Sequence, residues 1–177
     1  MRLRAQGVEL GFKVNFYGMP IVRMARNSRI YIGDRTVLCS DSRFTALGVN
    51  HPVILGTLYP GAEIIIGSEC GISGGSICAA VRVELGNECL IGANVTIADS
   101  DFHTIQPIGR RFNSNSQEVG SAPIKIASNV FIGTGSIVLK GVCIGQNSII
   151  GAGTIVVKDV ASNVVAAGNP AKVLRSL

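Results

Sequence analysis

The chain has 177 residues, 47% of them hydrophobic, 15% charged and 5% aromatic. That length suits a single domain. Apolar residues run throughout and the charged fraction is well below the usual quarter, so disorder is excluded over most of the chain. The net charge of +5 belongs to the first 43 residues, where eight Lys and Arg meet three Asp and Glu; the remainder holds eight of each.

The mean hydropathy is positive, yet the uncharged stretch Gly141–Val157 contains four Gly with Gln, Asn, Ser and Thr between them. A spanning helix needs about 20 mainly apolar residues, so no transmembrane segment is expected. Met1–Gly7 lacks the apolar core of a signal peptide, which points to a cytoplasmic protein. The five Cys show no CxxC pair and read as small, reduced side chains in the interior. The basic start fits an acidic or phosphorylated partner, a membrane surface or a plain solvated face. No nucleic-acid motif accompanies it, so nucleic acid is not expected as a partner.

In chain order, residues 1–30 form an irregular basic start in which Leu10, Phe16 and Val22 are spaced by six. Ile32 and Leu38 continue that spacing. His51, in Gly48-Val-Asn-His-Pro52, reads as a turn residue before proline that could also meet an acceptor. Ile66, Ile72 and Cys78 are six apart, as are Leu85, Ile91 and Ile97, with one extra residue between Cys78 and Leu85 suggesting a bulge or widened corner. Residues 98–123 then break the period, and no other break is expected. From Ile126 the repeat is strict: Ile126, Ile132, Val138, Ile144, Ile150 and Val156. Four residues after each comes a small or β-branched residue: Val130, Ser136, Val142, Ser148, Thr154 and Val160.

A period of six is neither helical nor that of a single strand. It fits a short strand plus a tight turn, repeated, with Gly and Asn at the turns where positive φ is needed. Three hexapeptides close one triangular coil of a parallel β-helix. About seven coils at about 4.8 Å spacing make a prism about 35 Å tall.

The pattern [Ile/Leu/Val]-[Gly/Ala]-x-x-[small]-x resembles that of the hexapeptide-repeat acyltransferases. The resemblance implies an all-β, left-handed parallel β-helix with one extruded loop at about 99–123. It also implies a homotrimer with active sites between subunits, and acetyl-CoA as acyl donor. An apolar prism face buried between subunits would account for the high hydropathy. The run Ile91-Gly-Ala-Asn-Val-Thr-Ile-Ala-Asp-Ser-Asp-Phe-His103 is similar to that family's entry to its active-site loop. That makes His103 the candidate general base, the role a neutral imidazole fills at pH 7. Asp99 or Asp101 could orient the ring or merely cap a turn.

The segments Gly151–Asp159 and Ala167–Arg175 look like the family's coenzyme A end. The resemblance sets Thr134, Ala152, Lys158 and Arg175 beside the cofactor, with the Thr134 amide as oxyanion donor. Cations for the phosphates could come from Lys158, Lys172 and Arg175. His51, Asn94, Arg110 and Arg111 are the candidate acceptor contacts. Galactoside and maltose acetyltransferases carry a sugar-binding carboxylate where this chain has Ala79 and Ala80. The chain therefore looks closer to small sugar O-acetyltransferases of surface-polysaccharide or lipopolysaccharide synthesis, whose acceptor can be a nucleotide- or lipid-linked sugar. An amino-sugar N-acetyltransferase and a non-catalytic β-helix scaffold are the alternatives. A three-His zinc site is hard to build from His51 and His103 alone, and no metal is expected.

Overall fold

The computed structural model describes residues 2–113 and 115–177. Three parallel sheets wrap one core as the faces of a triangular prism. The first face holds Glu9–Leu10, Arg29–Ile32, Glu63–Ile66, Arg82–Leu85, Ile124–Ile126 and Cys143–Ile144. The second holds Asn15–Tyr17, Val37–Cys39, Gly71–Ser73, Leu90–Ile91, Phe131–Ile132, Ile149–Ile150 and Val164–Ala167, with Lys172–Ser176 returning antiparallel at its end. The third holds Ile21–Arg23, Ile54–Thr57, Ser76–Ala79, Thr96–Ala98, Ile137–Val138 and Ile155–Val156. Six coils are complete, and a seventh is begun by the bridge of Val160 to Ile144 and by Val164–Ala167.

The register explains the period. On the first face Leu10, Ile32, Ile66, Leu85, Ile126 and Ile144 pair in one inward column. Phe16 through Ile150 do the same on the second face, and Val22 through Val156 on the third. Stacked β-branched aliphatics fill the axis, and burying each side chain is worth about 1.5–3 kcal/mol. The small residue four positions later is buried in every repeat from Val130 to Val160. Where it is polar it ties coils together: Ser136 Oγ donates to Gly151 O at 2.9 Å and Ser148 Oγ to Ala161 O at 2.6 Å.

The residue after the aliphatic position is small because the coils leave no room there. A Cβ on Gly67 would lie 2.5 Å from Gly86 backbone, and one on Gly133 2.5 Å from Ala152 N. The rule holds at the corners after the first face and, from Leu38 onward, after the second, where Tyr17 behind Phe16 is the exception. After the third face the chain turns more openly, and Leu139 and Val157 stand there.

Three expectations need correction. Residues 9–23 are not irregular; they form the first complete coil, and the helix Arg2–Ala5 covers its end with Leu3 and Val8 in the core. The inward residue of the third coil is Ile77 rather than Cys78, so the steps there are five and then eight. The shortened turn at Gly74-Gly75 is offset by a wide corner at Ala79–Val81. Finally, the repeat breaks more than once, and the corners after Val22 and Leu55 take ten and eleven residues to the next inward position. Besides the loop near 99–123, residues 40–53 leave the prism between the second and third faces, with a short 3-10 turn at Ser42–Phe44.

Candidate active site

The extruded loop leaves where the third face turns into the first. Its neck is a short antiparallel pairing: Ser100 bridges Ser121, Asp101 N donates to Gly120 O at 2.9 Å, and Ala122 N to Asp99 O at 2.9 Å. The two acids have different surroundings. Asp99 is fully buried, and its carboxylate accepts the amides of Ala80 at 2.5 Å, Val81 at 2.8 Å and Arg82 at 2.8 Å. It closes the wide corner of the coil below, the turn-capping outcome, and those three amides occupy both of its oxygens. Asp101 forms an ion pair with Lys140, on the next coil.

His103 stands exposed beyond the neck, after Phe102, whose φ is +61°. It lines a cleft of about 340 Å³ with Pro107, Arg110 and Arg111. Arg110 is held in place, donating Nη2 to Ile105 O at 2.7 Å and Nε to Gln106 O at 3.3 Å. The structure thus brings together three of the predicted residues, His103, Arg110 and Arg111. A second cleft, of about 440 Å³, is lined by Asp101, Thr104, Gln106, Glu118 and Lys140 among others.

Thr134 and Ala152 lie at a different corner, between the second and third faces. They share a groove of about 440 Å³ with Gly92, Ala93, Gly133 and Phe131. Thr45 and Leu47 of the 40–53 excursion form its opposite wall. Thr134 Oγ1 donates to Ala93 O at 2.6 Å, while its N–H meets no protein acceptor among the described residues. Asn94, at φ +61°, spends its side-chain oxygen on Asn50 N at 2.8 Å and so anchors the excursion. His51 sits within that excursion, its Nδ1 2.8 Å from Pro52 O. Neither touches the His103 cleft.

The predicted cations also divide. Lys172 follows Ala171, whose N bonds Ile155 O at 2.9 Å, and pairs with Ala167, which lies over Gly151; it therefore stands above the Ala152 groove. Arg175 pairs with Val165, farther along the second face. Lys158 stands at the other corner, above Lys140 and the loop.

The model of the bacterial transferase hexapeptide (six repeats) matches residues 123–158. This protein is a left-handed β-helix of hexapeptide repeats. The β-helix is 44% identical over 95 residues to the galactoside O-acetyltransferase of Escherichia coli K12, covering 54% of this chain and 44% of that one. It is 37% identical over 117 residues to the polysialic acid O-acetyltransferase of Escherichia coli O1:K1, covering 65% of this chain and 37% of that one. A solved galactoside acetyltransferase in complex with coenzyme A superposes with a TM-score of 0.53 at 29% identity, over 93% of this chain and 65% of that one. The β-helix thus spans less than half the length of these curated relatives, and the resemblance read from its repeats holds.

Among the described residues no helix is long and apolar enough to cross a membrane. No group of three His, Cys, Asp or Glu among them could hold a metal ion. The sequence reading missed Lys140, Thr45, Leu47 and Phe131. The signal for Thr45 and Leu47 was present: Leu38 to Leu55 is seventeen residues where six suffice. Lys140 carries no such mark, since an isolated Lys at a corner reads as a solvated side chain.

Proposed function

We propose that this β-helix is an acetyl-CoA-dependent O-acetyltransferase acting on a sugar hydroxyl, with its active site formed between two subunits of a homotrimer in the cytoplasm. The observation that carries this reading is the separation of its two halves. His103 and its arginines stand at one corner of the prism, and the Thr134–Ala152 groove stands at another. A base and a cofactor groove on different corners face each other when the corner of one chain meets the next corner of its neighbour. Outward apolar side chains support such packing. Leu90, Phe131 and Ile149 form a column on the second face, as do Ile137 and Ile155 on the third. Outward positions on the first face include the charged Glu84 and Lys125, which suits water.

The groove fits the thin arm of coenzyme A. Its floor is glycine and alanine, the Thr134 N–H has no protein acceptor among the described residues, and Lys172 above it suits a phosphate. The relative solved with coenzyme A supports this assignment. In the reaction, His103 accepts the proton of the attacking sugar hydroxyl as its oxygen adds to the thioester carbonyl. The Thr134 amide stabilises the oxyanion, and the tetrahedral intermediate collapses to the sugar ester with loss of the coenzyme A thiolate, which takes up a proton. Arg110 and Arg111 beside His103 favour an acceptor bearing a carboxylate or phosphate. The polysialic acid O-acetyltransferase among the relatives fits that preference.

The test is acetyl transfer from acetyl-CoA to neutral, amino, sialylated and nucleotide-linked sugars, comparing wild type with His103→Ala. The variant should lose at least about a hundredfold in turnover while binding acetyl-CoA as before. Near-normal turnover on every acceptor would remove His103 from the chemistry. Faster transfer to amino sugars, with a mild His103→Ala effect, would favour N-acetylation.

A further inference from the structure

We infer that Lys140 is a positioning residue: from the coil above, it clamps the neck of the loop that carries His103. The inference rests on the acetyltransferase reading only for what the clamp serves; the clamp itself stands on geometry. Lys140 follows strand Ile137–Val138, and its ammonium pairs with the Asp101 carboxylate, two residues before His103. Both side chains are about one-third exposed, 36% and 28%. Water therefore weakens the pair less than it would a pair on an open surface.

The backbone around the pair is shaped to admit it. Gly120 lies across the neck from Asp101 and accepts its N–H. A Cβ at Gly120 would lie 2.6 Å from Asp101 Oδ2 and 2.8 Å from Lys140 Nζ. A side chain there would displace the ends of both charged side chains from this position, so the ion pair as it stands uses the space left by the bare backbone at 120. A second tie comes from the same coil, where Gly141 N donates to Ala122 O at 2.9 Å. Beyond this clamp the loop is exposed: Phe102, Ile105, Ile108 and Phe112 all stand out from the prism. Asp101 and its neighbours are therefore where the rigid coil hands over to the segment bearing the base. A base displaced by about 1 Å can cost about a hundredfold in rate.

This assignment separates the two loop acids. Asp99 holds the coil below, through three amides, and Asp101 holds the coil above, through Lys140. The loop is thus fixed at both coils it interrupts, and both oxygens of the Asp99 carboxylate are taken up by the corner they close.

Hydrogen exchange on the full-length protein tests the clamp without requiring turnover. Lys140→Met keeps the stem and removes the charge. It should speed amide exchange across residues 100–121 by about tenfold, with the strands of coils four and five unchanged. Lys140→Arg, which restores the charge, should return exchange to near the wild-type rate. Gly120→Ala should reproduce the Lys140→Met effect by the steric route. In acetyl transfer to oligosialic acid, Lys140→Met should lower kcat while KM for acetyl-CoA stays within about twofold, and Lys140→Arg should recover most of kcat.

Unchanged exchange in Lys140→Met would overturn the proposal. So would loosening that Lys140→Arg does not reverse, because the charge would then be irrelevant. A protein that loosens as described but neither binds acetyl-CoA nor transfers acetyl groups would keep the clamp and defeat the enzymatic reading. One that transfers acetyl groups with a neck indifferent to Lys140 would do the reverse.

Discussion

Asp99→Asn separates a structural acid from a catalytic one in a single change. In the wild type one carboxylate oxygen accepts the Ala80 amide and the other accepts the amides of Val81 and Arg82. An asparagine can place its oxygen on the pair Val81 and Arg82, but its NH₂ then faces the Ala80 N–H, donor against donor. One hydrogen bond to a charged group, worth about 1.5–3 kcal/mol, is lost, and a buried amide is left unsatisfied. The cost is about 3 kcal/mol. At about 2–4 °C per kcal/mol for a domain of this size, Tm should fall by about 6–12 °C. Thermal unfolding followed by circular dichroism measures this, and acetyl transfer at 20 °C measures the rest. Turnover per folded molecule should stay within about threefold of wild type. An acid that orients His103 would behave in the opposite way, with Tm held and kcat reduced by about 10⁴. That result would refute the assignment of Asp99 to the corner.

Gly67→Ala should destabilise by about 2–4 kcal/mol, because its Cβ meets backbone of the next coil at 2.5 Å and forces apart a hydrogen-bonded pair. Gly56→Ala, whose Cβ would meet only Cys78 Sγ at 3.9 Å, should be near neutral; comparable losses in chemical denaturation would contradict the stacking account. With a thiol reagent at pH 8 and mass spectrometric readout, Cys143 should be labelled first, since it is the exposed cysteine. Cys78 should follow slowly, because burial and the nearby Asp99 carboxylate push its thiol pKa up and leave little thiolate. Rapid labelling of the buried Cys39, Cys70 or Cys89 would mean that the coils are looser than described. Replacing Arg110 and Arg111 together with Gln should raise KM for a carboxylated acceptor at least about tenfold, with acetyl-CoA binding unaltered.

The β-helix was legible in the sequence wherever its coils are regular. From Ile126 to Val156 each turn has the same length, so a period of six in the chain is a column in space. Around Ile77 it was less so, because Ile77, Cys78 and Ala79 are all apolar and only pairing with Leu55 and Ile97 decides which one points inward. The 40–53 excursion shows only as the seventeen-residue gap from Leu38 to Leu55, and it escaped because Leu55 has no inward neighbour six residues away to mark it as part of the repeat. That His103, Arg110 and Arg111 share a cleft was readable, since a polar loop interrupting a repeat keeps its side chains close in sequence. The division between Asp99 and Asp101 was not. They flank Ser100 in the same turn, and their partners are the amides at 80–82 and a lysine at 140, set by stacking rather than by local chemistry. The separation of His103 from Thr134 was hidden for the same reason: which corner a residue occupies depends on counting faces through two excursions.

The most direct test of the account is a calorimetric titration of acetyl-CoA into the assembled protein, with ATP as control and with Ala152→Trp to fill the groove. The account predicts specific binding at about one site per chain, abolished by Ala152→Trp. Absence of acetyl-CoA binding by correctly assembled protein, or binding indifferent to Ala152→Trp, would contradict it.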